Sequence, residues 1–236
     1  MKIKILITII LCTFQIQLFA EKNNPDENNL TMNNSNIINH DAGFDISTFL
    51  LYDKTLSWVK FYQKTDDNFF LSNFYGAQLE IFGYTFPRSE HAYQSQKFIP
   101  NSPTYLAFID PQNASPEMAY KLGQTKDSPD ARYPVLHDWK MERDQVMYAV
   151  VSAKFAQNKM LMDKLLNTGN ALLVEWTENQ KSGDDTFWGI NRTTLQGKNH
   201  LGKILMIVRE KFRGNIQQFE IQQILEGLKN DNLNLF

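Results

Sequence analysis

Phe69 to Phe98 reads FFLSNFYGAQLEIFGYTFPRSEHAYQSQKF, and its three parts decide the fold. Phe69–Tyr75 is an aromatic turn built on Leu71-Ser72-Asn73-Phe74. Gln78–Phe86 alternates apolar and polar residues across Gly83, which predicts a short hairpin. Pro87-Arg88-Ser89 then opens a helix carrying Glu90, His91, Tyr93, Gln94 and Lys97. Proline suits the start of a helix, serine caps its free N–H groups, and Glu90 sits in the same turn. A helix N-terminus is partly positive, so an ionised Glu90 is expected at neutral pH. Glu90, Gln94 and Lys97 are spaced i, i+4, i+7 and share one face. An anion, an amide and a cation in a row beside an aromatic turn suit a nucleotide-like ligand. The same spacing also describes a surface helix with a Glu–Lys stripe.

The chain has 236 residues and a formal charge of −2. Residues 1–20 have the pattern of a secretory signal: Lys2 and Lys4, an apolar run Ile5–Cys12, and an exit at Ala20. The run is short for a membrane span. Cys12 is the single cysteine, so a chain cleaved after Ala20 has no disulfide and no thiol nucleophile. Such a chain carries 22 basic and 26 acidic residues, which argues against a broad nucleic-acid surface. Glu21–Asn39 holds eight Asn and few large apolar residues, and residues 21–43 read as a disordered linker. Residues 44–236 suffice for one domain with a sizeable core. The expected location is secreted or periplasmic, with no membrane attachment once the signal is removed.

Within the domain, Phe44–Leu51 reads as a short helix or edge piece, and Ser57–Tyr62 has strand character. Short helices are expected at Thr104–Ile109 and Pro116–Leu122, then a polar loop over Gln124–Pro134. The longest helix is expected at Lys140–Gln157, led by Trp139. Trp139 suits either a core anchor or a plate on which a base stacks. A helix at Met160–Leu166 and a strand at Ala171–Thr177 follow. Gly183–Gly189 reads as a glycine-bounded loop carrying Asp184, Asp185, Phe187 and Trp188. Gly197-Lys198-Asn199 leads into a helix at Lys203–Phe212, and such a loop can hold a phosphate with backbone N–H groups. Asn215–Lys229 reads as a terminal amphipathic helix.

Four blocks in this order resemble the NADAR family of YbiA-like N-glycosidases. They are LSNF at Leu71–Phe74, PRSEHAYQSQKF at Pro87–Phe98, WKMERDQVMYAVVSAKF from Trp139, and LLVEWTEN…DDTFWG…GKNHLGKILMIVRE from Leu172. The resemblance implies a mostly helical α+β domain with a small sheet, no metal and no cofactor. It implies hydrolysis of a ribose–base bond, in phosphoribosylamino-pyrimidines of riboflavin synthesis or in ADP-ribosylated guanine. The family's catalytic Glu falls on Glu90, its stacking Trp on Trp139 and its site Asp on Asp185. Lys97, Trp188, Lys198 and Asn199 also fall on pattern positions, and Asn73, Phe74, His91, Gln94 and Gly189 complete the candidate substrate-binding set. The chain departs from the pattern at Gln124, where many members carry Arg, and at Ile190, where a glycine is usual. Losing an Arg removes a bidentate phosphate clamp, which bears on substrate choice.

Cleavage of such a bond builds positive charge on the ribose, which a carboxylate stabilises, or the carboxylate activates water. Glu90 is the candidate for that role, Asp185 or His91 for protonating the leaving base, and Lys97 and Lys198 for holding phosphate. Two other classes fit the same residues: a catalytically weak ADP-ribose or NAD-binding module, and a secreted effector using the same fold. The signal reading predicts a mature chain beginning at Glu21. Intact-mass measurement of protein from the native cell checks it, and a full-length cytosolic species ends it.

Overall fold

The computed structural model of the chain describes residues 57–124, 129–131, 136–178 and 183–229, without the side chains of 136–138 and 183–185. The expected signal, linker and Phe44–Leu51 segment lie outside the described residues. The architecture is α+β and about half helical, as expected.

Three strands form a parallel sheet in the order β1 (Trp58–Phe61), β4 (Leu172–Thr177), β5 (Ile190–Asn191). Parallel pairing needs long crossovers. The first carries the hairpin and five helices, and the second carries one short helix. Leu172, Leu173 and Val174 of the central strand are all buried, as a sheet covered on both faces requires. The hairpin pairs β2 (Leu79–Ile81) with β3 (Tyr84–Phe86). Its two turn residues, Phe82 and Gly83, have φ of 57° and 84°, the left-handed pair that suits the twist of a two-residue hairpin.

The helices are α1 (Ser89–Ser95), α2 (Pro103–Leu106), α3 (Pro116–Gly123), α4 (Leu136–Ala156), α5 (Lys159–Leu166), α6 (Gly183–Trp188), α7 (His200–Phe212) and α8 (Gln218–Lys229). Ser102 and Ser115 cap α2 and α3 by accepting from Tyr105 N and Met118 N, each with proline following in the first turn. Two expectations change here. Residues 183–188 form helix α6 rather than a loop. Helix α1 ends at Ser95, so Lys97 sits in the turn beyond it.

Helix α4 is the axis of the domain, touching α1, α5, α7, α8 and β2. Val146, Met147, Val150, Val151, Ala153 and Phe155 are all buried. Gln157, just past its end, staples the hairpin: Oε1 accepts from Glu80 N at 2.7 Å and Nε2 donates to Glu80 O at 2.8 Å. Helix α7 lies on β4, buried from His200 through Glu210. Strand β5 reaches only Trp176 and Thr177, so the earlier part of that β4 edge needs another partner. Asn199 supplies it, accepting from Glu175 N at 3.1 Å and donating to Leu173 O at 2.9 Å. Gly202 allows the close approach, because a Cβ there would lie 2.0 Å from Leu173 O.

One buried cation-type side chain ties α4 to the aromatic turn. Lys154 Nζ donates to Phe70 O at 2.6 Å and Ser72 O at 2.9 Å. Burial alone pulls its pKa down from 10.5 to about 7, so the amine is largely neutral at higher pH while still donating. The unfolded chain binds that proton up to about its ordinary pKa, whereas the folded chain has lost it above about 7. Unfolding therefore takes up a proton in this window, and stability rises with pH by up to about 1.4 kcal/mol per unit. Lys154→Met removes this component and takes the amine donor from Phe70 O, while Ser72 O keeps Tyr75 N at 3.2 Å, a cost of about 1–3 kcal/mol. Urea unfolding between about pH 7 and 10 checks it: the variant is less stable, and its stability climbs less with pH. Parallel curves for the two proteins would show that Lys154 keeps its proton in the fold.

Candidate active site

The aromatic turn positions α1. Phe69–Leu71 form one 3₁₀ turn, and Ser72 Oγ accepts from Phe74 N at 3.1 Å. Asn73 O then accepts from Glu90 N at 3.1 Å. This replaces the expected serine cap: Arg88 occupies the N-cap without a side-chain bond, and Ser89 lies inside the helix. Arg88 instead braces the neighbourhood, donating to Ala114 O at 3.1 Å and Phe74 O at 3.3 Å. The turn and the helix are thus one unit, joined by bonds between residues 14 and 17 positions apart.

Every residue of α1 is buried. Glu90 is 6% exposed, which rules out the surface-stripe reading. Gln94 Nε2 donates to Glu90 Oε1 at 2.8 Å. Burial raises the Glu90 pKa from 4.5 to about 7, against the pull of the Gln94 bond and the Lys97 charge. The expectation of a fully ionised Glu90 at neutral pH is therefore corrected. A first-turn dipole is worth about 0.3–1 kcal/mol. Removing a carboxylate from water costs more.

The rest of the expected set divides. Lys97 Nζ lies 3.4 Å from Gly123 O, 5.8 Å from the Tyr93 ring and 5.7 Å from the Trp139 ring. Helix α3 comes close because Gly123 has no side chain: a Cβ there would sit 2.0 Å from Gln94 Oε1. Trp139 is 8% exposed and packs on Tyr93, ring centres 5.2 Å apart. Trp188 meets Tyr93 edge-on at 5.4 Å. Tyr93 therefore joins the two tryptophans beside Glu90, Gln94 and Lys97. Sequence reasoning placed Tyr93 on the helix without giving it this role. The signal was available in its spacing, three residues from Glu90 and four from Lys97.

His91 points elsewhere. Its Nε2 lies 2.9 Å from Asn113 O, and burial holds the ring below the usual histidine range. Asn199 spends its amide on β4. Lys198 has an exposed side chain, and its N donates to Thr186 O at 2.8 Å. Asn199 N donates to Gly189 O at 3.3 Å. These two N–H groups are taken by the backbone and are not turned toward a phosphate. Asp185 belongs to α6, but its side chain lies outside the description. Asn73 Nδ2 faces Met147 Sδ at 3.2 Å. Asn73 Oδ1, Ser89 Oγ, Gln94 Oε1 and Gln124 Nε2 are buried with no hydrogen-bond partner among the described residues. Buried polar atoms without partners are costly, and they are what a polar ligand satisfies. Among the described residues no group of three or more His, Cys, Asp or Glu could hold a metal ion.

The arrangement holds a carboxyl that titrates near neutrality beside unpartnered polar atoms and an aromatic wall. Such a group can both take and give a proton at pH 7. Gln94→Leu removes a bond that favours the anion, so it raises the Glu90 pKa further, and Lys97→Met acts in the same direction. Carbon-13 carboxyl titration checks both. A Glu90 titrating in the ordinary carboxylate range would show that water reaches it.

Residues 60–213 match the model of the NADAR domain. The N-glycosidase YbiA of Shigella flexneri is 36% identical over 153 residues, covering 65% of this chain and 87% of that protein. The N-glycosidase Npun_R5314 of Nostoc punctiforme is 37% identical over 124 residues, covering 52% and 72%. A riboflavin biosynthesis protein of Vibrio vulnificus is 33% identical over 171 residues, covering 72% of this chain but 42% of its own length. The NMR structure of Escherichia coli YbiA superposes with a TM-score of 0.55 at 32% identity, covering 70% of this chain and 92% of the other. The match runs from the second half of β1 to the end of α7 and includes the turn, α1 and the aromatic wall. The chain belongs to the NADAR domain family.

Proposed function

We propose that this chain is an N-glycosidase-type hydrolase acting on the bond between a ribosyl group and a nucleotide-like base. The relatives named N-glycosidase support this activity. The observation that carries it is Glu90: buried, bonded to Gln94, and titrating at about 7. In the reaction the C1′–N bond breaks and a C1′–O bond forms. Water supplies hydroxide to C1′ and its proton to the base nitrogen. Glu90 as the anion takes the proton from water, or stabilises the ribosyl cation, and its acid form returns a proton. The buried setting strengthens either interaction, because water no longer screens it.

Lys97 supplies positive charge at the edge of the aromatic wall, and Trp139, Tyr93 and Trp188 form the side against which a base packs. Asp185 on α6 is the better candidate for protonating the leaving base, since the Nε2 of His91 is engaged by Asn113. The substrate classes proposed are phosphoribosylamino-pyrimidines and ADP-ribosylated guanine. Export through residues 1–20 favours the second, because the first is a cytosolic intermediate.

Purified chain incubated with both classes and with NAD is expected to release free base. Glu90→Gln keeps shape but removes the proton-accepting charge. Its single-turnover rate at saturating substrate is expected to fall at least ~100-fold, with affinity changed little. A variant within about threefold of wild type would remove Glu90 from the mechanism. Tight binding of the nucleotides with no base release would instead make the chain a binding module.

A further inference from the structure

The aromatic wall is held from behind by a buried pair that the proposed reaction does not use. Asp144 lies on α4 and His200 opens α7, 56 positions apart, and His200 Nδ1 meets Asp144 Oδ1 at 2.8 Å. Both side chains are almost fully buried, at 1% and 2% exposure. His200 stacks on Phe187, ring centres 3.9 Å apart and planes 31° apart. The Arg143 guanidinium carbon also lies 3.2 Å from the Phe187 ring centre. Phe187 meets Trp188 edge-on, at 4.8 Å and 89°, and Trp188 in turn meets Tyr93. Contacts therefore run without a break from Asp144 to the helix that carries Glu90.

Helix α6 has six residues, too few to hold a helix by its own hydrogen bonds. Its position must come from tertiary contacts, and Phe187 is its buried anchor. A stacked imidazole presents its flat face only in one rotation about its side-chain bond. The hydrogen bond to Asp144 selects that rotation. A carboxylate oxygen only accepts, so Nδ1 carries the hydrogen of this bond; burial lowers the ring's pKa, with Asp144 opposing. His200 also meets Trp188 edge-on, ring centres 6.4 Å apart, so its orientation reaches Trp188 both directly and through Phe187, and with them the backbone that bears Asp185.

We infer that Asp144 and His200 form a positioning pair that sets Phe187 and Trp188, and with them α6, for recognition of the base. The link to recognition rests on the proposed N-glycosidase reading, whereas the link to Trp188 does not. The test is the double variant Asp144→Leu/His200→Phe, which keeps a ring on Phe187 and removes both members of the orienting bond. Its Trp188 indole N–H resonance, assigned with Trp188→Phe, is expected to shift or broaden, while that of Trp58 stays. For released base, KM is expected to rise about tenfold with kcat within about threefold, the pattern of lost binding. Asp144→Asn keeps an acceptor for Nδ1–H and is expected to match wild type in both readouts.

A folded double variant with wild-type Trp188 resonance and KM would overturn the pair's positioning role. So would an Asp144→Asn variant that loses as much as the double variant, because bond geometry would not then be what acts. If the double variant fails to fold, His200→Gln keeps a donor to Asp144 without the ring, and an unchanged Trp188 resonance there overturns the proposal. If wild type releases no base from any nucleotide, the N-glycosidase reading fails, and the Trp188 resonance alone decides the pair.

Discussion

The buried amine of Lys154 is the contact on which the site depends. It gathers the carbonyls of Phe70 and Ser72, and so fixes the turn whose next residue, Asn73, accepts from the first turn of α1. The carboxyl of Glu90 is placed by this relay and by Gln94, not by the capping serine that the sequence pattern suggests. A buried lysine is expensive to desolvate, and the fold meets the cost by letting the amine lose its proton. An apolar residue here would take the amine donor from Phe70 O and leave Ser72 O with Tyr75 N alone, which explains why an ionisable group sits in the middle of the core.

The same desolvation sets the chemistry. Two forces act on Glu90 in opposite directions. The helix N-terminus, Gln94 and Lys97 favour the anion, and burial opposes it. Moving the pKa from 4.5 to about 7 corresponds to about 3 kcal/mol, several times a first-turn dipole. Burial wins because α1 is covered by α3, α4 and the β3 strand as well as by the turn. A carboxyl poised near neutrality changes protonation state at little cost, which a fully ionised surface glutamate does not.

The aromatic groups serve two ends. Trp139 lies in the core at 8% exposure and also borders Lys97 through the same ring. The packing gives the core-anchor half of that choice, an indole tilted against Tyr93 and lying beside Lys97, while the base-plate half belongs to the proposed function. Trp188, only partly buried, meets Phe187 and His200 edge-on, and Phe187 lies against Arg143 and His200. A short helix bearing candidate site residues is steadied by contacts that come from the two long helices.

Local elements were legible in the residues themselves. The turn at Gly83, the short helix at Pro116, the periodicity of α4 and the apolar run of β4 each follow from neighbours within about a turn or a strand. So did the pairing of Glu90 with Gln94, because helical spacing puts them on one side, whereas Lys97 is brought near them by the turn beyond α1. Three-dimensional packing decided everything that depends on solvent and on distant partners. It put α1 inside, which set the protonation of Glu90. It joined Trp139 to Trp188 through Tyr93, turned His91 toward Asn113, and gave Asn199 to the unpaired edge of β4. It also brought Asp144 to His200 and Lys154 to Phe70 and Ser72, across 56, 84 and 82 positions. Periodicity and charge are local properties of a chain, whereas desolvation and hydrogen-bond satisfaction are set by which surfaces fold against each other.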